Sequence, residues 1–470
     1  MVFSSLVFLF VFLPIVLILY YISSDKLKNY ILLVCSLFFY AWGEPKYIFL
    51  MIISISVNYV FSINISRNNK TKRMWLIFSL IFNLGILIAF KYTNFLVRII
   101  NSAVNTNWHL PYIPLPLGIS FFTFQIMSYL IDVYRNDAEV QKNIFDLALY
   151  ISLFPKLIVG PIVQYRRVGK QIRNRKHSLN KFALGVERFI IGLGKKVIFS
   201  EQLGIVADAA FNSQISDLSV MGGWLGVLCY TLQIYYDFSG YSDMAIGLGK
   251  MFGFDFPENF NYPYISQSIS EFWRRWHISL GNWFRDYVYI PLGGNRSGLK
   301  KQCRNLFIVW LLTGIWHGAD WTFIAWGLYY GVLIIFEKLF MGRWLHKLPE
   351  VFRHVYLVFW VMIGWIFFRS ESIIQAKNFI KVIMGINDNL LYDNSFLTYI
   401  DNSGYLIILA ILFSTNVIPK MKDLMKRKNK NLFENNLGYC LHSVFLSSIL
   451  FIAVILLVNS TYKPFLYFNF

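Results

Sequence analysis

The chain has 470 residues, of which 56% are hydrophobic, 19% aromatic and only 15% charged. Soluble domains carry about a quarter charged residues, so this composition excludes an ordinary soluble globular protein. The net charge of +19 arises from 44 Lys and Arg against 25 Asp and Glu. The basic residues sit in short loops between apolar runs, which argues against nucleic acid as a partner and for membrane orientation and anionic lipid headgroups.

Val2 to Ile22 is the first apolar run. It lacks a basic start and a small-x-small cleavage pattern, which predicts a retained helix rather than a removed signal. Apolar runs then recur to the end of the chain and predict roughly ten to twelve spanning or partly spanning helices of about 20 residues each. The chain therefore reads as all-α, a polytopic integral membrane protein in one domain, 1–470, with its motifs concentrated between about 115 and 340.

Basic clusters at Lys26/Lys28, Arg67 to Arg73, Arg166 to Lys176, Arg296 to Arg304, Arg343/Lys347 and Lys420 to Lys430 mark cytoplasmic loops. Loops at Gly43 to Pro45, Asn101 to Pro116 and Glu371 to Asp401 have few or no basic residues and read as external. Both chain ends then fall outside. The polar stretch Gln164 to Lys181 predicts a cytoplasmic amphipathic helix. The glycine pairs Gly192/Gly194 and Gly247/Gly249 read as small residues at helix contacts. Cys35, Cys229, Cys303 and Cys440 show no paired spacing, so neither a disulfide framework nor a metal site is indicated.

Polar density rises in the middle of the chain. Tyr235-Tyr-Asp-Phe-Ser-Gly-Tyr-Ser-Asp243 sets two carboxylates, Asp237 and Asp243, into an apolar run. Phe256-Pro-Glu-Asn-Phe-Asn-Tyr-Pro-Tyr264 follows. Glu271-Phe-Trp-Arg-Arg-Trp-His-Ile-Ser279 then places Glu271, Arg274, Arg275 and His277 within two helical turns, and Arg285 comes in the next segment. Guanidinium groups grip phosphates bidentately, although Arg beside Trp also anchors an interfacial helix. In Thr313-Gly-Ile-Trp-His-Gly-Ala-Asp320 a single histidine, His317, lies inside an apolar stretch. An imidazole in hydrocarbon is costly unless buried, paired or used, and it is the side chain best suited to proton transfer near neutral pH. A structural histidine bonded to a carbonyl is the plain alternative. About ten residues separate Arg304 from Thr313, or about 15 Å of helix, which predicts His317 near mid-depth with the helix broken at Gly314 and Gly318. His109, His177, His346, His354 and His442 read as surface groups. The tail Pro464-Phe-Leu-Tyr-Phe-Asn-Phe470 is an aromatic anchor or, through the Tyr467 hydroxyl, an acyl acceptor.

The segments Tyr236 to Asp243, Pro257 to Pro263, Phe272 to His277, Arg285 to Gly294 and Trp316 to Trp321, with Pro116 to Gln125 and Phe154 to Pro161 upstream, resemble the membrane-bound O-acyltransferase superfamily. Within it they resemble the branch that acetylates alginate and cell-wall polysaccharides. The resemblance covers nearly the whole chain and implies helices around a central funnel in a bacterial cell membrane. It implies that His317 is the catalytic histidine and that His277 occupies the superfamily's second histidine or asparagine position. It implies a cytoplasmic acetyl donor, acetyl-CoA, and a separate extracytoplasmic acetylase of the SGNH type as partner, which passes acetyl to a polysaccharide hydroxyl. Tyr467 matches the tyrosine of an aromatic tail motif that carries acyl in transit, with Asn-Phe standing where Gln-Phe is expected. On this reading Arg274, Arg275 and Arg285 meet the donor phosphates, His317 acts as general base, and backbone N–H groups at Gly314 and Gly318 stabilise the tetrahedral intermediate. The alternatives are D-alanyl transfer to teichoic acid from a carrier-protein thioester and, in another class, a glycan or lipid transporter that uses His317 as a proton relay.

Overall fold

The computed structural model describes residues 1–67, 69–108, 110–111, 113–296, 298–428 and 436–459. Every regular element among them is helical. This follows from the solvent the sequence anticipates, because a helix satisfies its own backbone hydrogen bonds within one segment. Six of the described helices are long and apolar enough to cross a membrane: Ile48–Arg67, Lys72–Val104, Trp321–Met341, Glu350–Arg369, Asn394–Phe413 and Leu437–Asn459. Phe8–Ile22 is a shorter apolar helix. Other long helices are interrupted by polar residues that the fold buries. Val220–Met251 carries Asp237 and Asp243 at 3% and 5% exposure, which is why composition alone does not mark it as a span.

The chain divides into two compact units, one of residues 1–189 and 242–257, the other of 190–241 and 258–470. In the first, polar pairs join helices from within. Asn58 and Asn83, both buried, exchange amide hydrogen bonds of 3.1 and 2.7 Å between Ile48–Arg67 and Lys72–Leu87. Such pairs hold helices where apolar burial gives no preference for one neighbour over another. Asp243 accepts from Arg188 at 2.6 Å, so this carboxylate is a structural partner. Gly247 is one of the small contact residues expected from sequence: a Cβ there would lie 2.6 Å from the Gly185 carbonyl oxygen.

The polar stretch after Gln164 forms a shorter helix than expected, Tyr165–Arg173, which buries Tyr165, Val168 and Ile172. The chain then turns, and two of its side chains engage helix Leu13–Ile22: His177 Nε2 lies 2.7 Å from the Tyr20 hydroxyl, and Arg175 Nε donates to the same oxygen at 2.7 Å. His177 is thus half-buried and hydrogen-bonded rather than a free surface group.

The second unit is built on rings. Trp273 packs edge-on against Trp310 and Tyr330, each 4.8 Å away between centroids, and Trp276 lies 5.0 Å from Trp365. Edge contacts of this kind fill large volumes with defined geometry. Helices Leu299–His317 and Trp321–Phe336 approach at glycines. A Cβ on Gly314 would lie 2.5 Å from the Phe323 carbonyl oxygen, and one on Gly327 2.5 Å from that of Trp310. Lys196 and Asp237, each 3% exposed, form a buried ion pair in this unit.

Candidate functional site

Arg274, Arg275, His277, Arg285 and His317 all belong to the second unit. Helix Ile269–Arg275 begins at Ser268, whose hydroxyl accepts the Glu271 N–H at 3.1 Å. Its first turn is also held by a carboxylate from far along the chain. Glu337, 5% exposed, accepts the N–H of Ile269 at 2.6 Å, the N–H of Ser270 at 3.0 Å and the Ser270 hydroxyl at 2.9 Å. A negative group at this end satisfies amides that the helix leaves open. The sequence reading missed Glu337; its one signal was a lone acid following the apolar run Trp321 to Phe336.

A cavity of about 980 Å³ opens beside this helix. Arg274 and Arg285 line it together with Lys338 and Arg353, two cations not foreseen from sequence. Arg274 makes no hydrogen bond or ion pair among the described residues, whereas Arg285 is 2.8 Å from Asp286. The two lining carboxylates are committed elsewhere: Glu337 to the helix start, and Glu271 to Arg275 at 2.9 Å. The lining thus keeps a positive excess suited to phosphate. Arg275, expected beside Arg274 and Arg285 at the donor phosphates, faces elsewhere. It pairs with Glu271, donates to the Asn261 carbonyl at 3.2 Å and is absent from the cavity lining, because adjacent helical residues face different sides.

A second cavity of about 220 Å³ shares Trp273, Gly281, Arg285, Tyr289, Leu306 and Trp310 with the first and adds His277 and Thr313. His277 is 2% exposed and adopts φ 45°, ψ 52° between two short helices. Its Nδ1 lies 3.1 Å from Asn259 Oδ1, and the Phe238 ring meets it edge-on at 4.6 Å. The ring lies outside the six candidate spans, and burial pushes its pKa well below the ordinary histidine value. A neutral ring is no phosphate-binding cation.

His317 is the last residue of helix Leu299–His317 and is 5% exposed. Rings surround it: Trp326 at 4.8 Å, Trp316 at 5.0 Å and Phe368 at 5.4 Å, all edge-on. It lines neither cavity. Thr313, one turn earlier on the same helix face, lines the smaller one. The expected break at Gly314 is corrected: the helix runs through it to His317, and the Gly318 N–H donates to the Gly314 carbonyl. The two glycines therefore do not supply free oxyanion donors; Gly314 serves helix approach, and a Cβ on Gly318 would enter the Phe323 ring. With the helix unbroken, Arg304 to His317 measures about 20 Å along the axis. Tyr467 lies outside the described residues. Of the other histidines, His346 lines the large cavity and His354 Nδ1 lies 3.3 Å from the Ser266 carbonyl oxygen.

A basic cavity that adjoins a smaller one lined by the buried His277, in a protein with six described helices long and apolar enough to cross a membrane, defines a polytopic membrane protein with a polar site. The chain belongs to the membrane-bound O-acyltransferase family, whose profile matches residues 135–374. It is 46% identical over 395 residues to the "Probable alginate O-acetylase AlgI" of Pseudomonas syringae pv. tomato, covering 83% of this chain and 76% of that protein. With the protein of the same name from Pseudomonas putida it is 41% identical, and the match covers 100% of both chains. With the "Peptidoglycan O-acetyltransferase" of Helicobacter pylori it is 34% identical, over 100% of this chain and 98% of that one. The protein is thus a multi-pass membrane acyltransferase, and the family resemblance read from its motifs is borne out.

Proposed function

We propose that this chain is the membrane subunit of a polysaccharide O-acetylation system, taking acetyl from a cytoplasmic thioester, acetyl-CoA, and passing it across the membrane. The observation that carries this reading is the full-length identity to proteins named as alginate and peptidoglycan O-acetylating enzymes. The cationic cavity supports it, because the phosphates of CoA cannot enter hydrocarbon and need a basic port at its edge. Arg274 and Arg285 hold those phosphates, with Lys338 and Arg353 on the same lining, while the pantetheine arm follows the smaller cavity past His277 toward the His317 helix.

At the reacting carbon an acceptor hydroxyl oxygen attacks the thioester carbonyl, and His317 takes the hydroxyl proton. The carbon–sulfur bond then breaks, the thiolate recovers that proton, and an acetyl ester remains on the acceptor. Tyr467 provides that hydroxyl as a relay. An SGNH-type acetylase on the outer side then moves the group to the polysaccharide. Only acetyl crosses the bilayer, which costs far less than moving the charged carrier.

The test is acetyl transfer from radiolabelled acetyl-CoA by membranes that contain the protein. His317→Ala abolishes it at unchanged protein abundance; retained transfer rules out the base. Tyr467→Phe keeps the ring and removes the hydroxyl, so persistent polysaccharide acetylation in that variant reduces the tail to an anchor. Label incorporated from an aminoacylated carrier protein, and none from acetyl-CoA, assigns the chain to D-alanyl transfer instead.

A further inference from the structure

Asn259 takes no part in the reaction proposed above, yet it is fully buried and brackets His277 on two sides. Its backbone carbonyl accepts the Ile278 N–H at 2.9 Å. Its Oδ1 accepts the Ser279 N–H at 3.2 Å and the Ser279 hydroxyl at 2.8 Å, and it lies 3.1 Å from His277 Nδ1. A backbone N–H can only donate, so the amide atom facing Ser279 and His277 is the oxygen. An oxygen accepts only, so His277 Nδ1 carries the proton. In a neutral imidazole the other nitrogen, Nε2, then holds a lone pair. That nitrogen is buried and meets no donor among the described residues. The ring lines the smaller cavity, which continues the basic one through shared walls. The left-handed backbone at His277 is costly for a side chain with a Cβ, and sites that hold such a conformation tend to be functional.

We propose that Asn259 is a positioning residue that locks His277 as the neutral Nδ1–H tautomer, so that Nε2 accepts a hydrogen bond from an amide N–H of the acyl donor's pantetheine arm. This rests on the acyl-transfer reading, since the arm supplies the amide. A buried acceptor kept without a partner is costly, and a ligand N–H removes that cost on binding. His277 thereby grips the donor and aligns its thioester, while proton transfer belongs to His317. Free acetyl-CoA and an acylated carrier protein present the same arm, so both serve as probes.

The experiment uses the full chain in lipid nanodiscs with 15N-labelled histidine, the His277 signals being assigned by their loss in His277→Gln. Wild type shows Nδ1 protonated and Nε2 bare at neutral pH, and Asn259→Leu loses that preference. A wild-type ring protonated at Nε2, or at both nitrogens, overturns the inference. Kinetics give the second readout: Asn259→Leu raises KM for the donor roughly tenfold with kcat changed less than about twofold, as loss of one bound hydrogen bond requires. Asn259→Asp keeps the acceptor oxygen and restores KM. If KM is unchanged in Asn259→Leu for both acetyl-CoA and acetylated carrier protein, the inference is wrong. If the leucine variant does not fold, the wild-type spectrum and the aspartate variant decide. Absence of transfer by wild type with either donor overturns the acyl-transfer reading, while the ring spectrum is still read on its own.

Discussion

His277 and His317 belong to one unit and are both buried, yet their settings in the chain differ. His317 ends a long helix beside a close helix contact: Gly314 and Gly327 let two helices touch, and Trp326, Trp316 and Phe368 wall the ring. His277 sits in a left-handed turn, and its position follows from hydrogen bonds to a single amide. A hydrogen bond to a fixed acceptor sets the proton as well. An arrangement of that kind suits a binding group.

The largest expected effect comes from deleting each ring. His317→Ala lowers transfer by about a hundredfold to ten-thousandfold, the range of a lost general base. His277→Gln lowers it much less and acts mainly through KM for the donor. Steady-state rates across donor concentration, measured in the same membranes, check both. Equal losses in kcat would erase the distinction between the two histidines.

Next come changes to the supports. Gly327→Leu puts a side chain where the Trp310 carbonyl already lies, and overpacking of this kind costs about 1–3 kcal/mol or more. It displaces the His317 helix, so thermal stability and kcat fall together. Glu337→Ala removes three hydrogen bonds at the start of helix Ile269–Arg275 and leaves two amides without a charged acceptor, at a cost of about 1.5–3 kcal/mol. Its mark is a lower unfolding temperature in detergent with a raised donor KM, because the helix it holds carries Arg274. A stability loss with KM unmoved would detach Glu337 from the donor port.

Much of this was legible in the chain. Apolar runs gave the helical membrane class, since lipid admits few other ways to satisfy a backbone. His317 was visible because a lone imidazole among apolar residues violates the pattern around it. Gly314 was visible too, but its role was misread. A glycine in an apolar stretch is consistent with a break or with a close contact, and only the neighbouring helix, with Gly327 opposite, decides between them. Asn259 lay within a noted motif, and nothing in one dimension says that its amide reaches residues 277 and 279. Lys338 and Arg353 join Arg274 on one cavity through tertiary packing across some eighty residues of chain. Separation of that kind leaves no local spacing to read.

The smallest expected effect separates the two adjacent arginines, which the sequence could not tell apart. Arg274 faces the basic cavity with no partner among the described residues, whereas Arg275 is spent on Glu271 and the Asn261 carbonyl. Arg274→Gln should therefore raise the donor KM by about fivefold to tenfold, with the loss deepening as salt falls, because an exposed cation acts on phosphate through a screened field. Arg275→Gln leaves Glu271 without its cation at a half-exposed site, where such pairs contribute about 0–1 kcal/mol, so it should shift the unfolding temperature slightly and KM by less than about twofold. Donor titrations at two ionic strengths check the pair. A KM that moves more for Arg275→Gln than for Arg274→Gln would place the donor phosphates on the other side of this helix and detach the large cavity from the reaction.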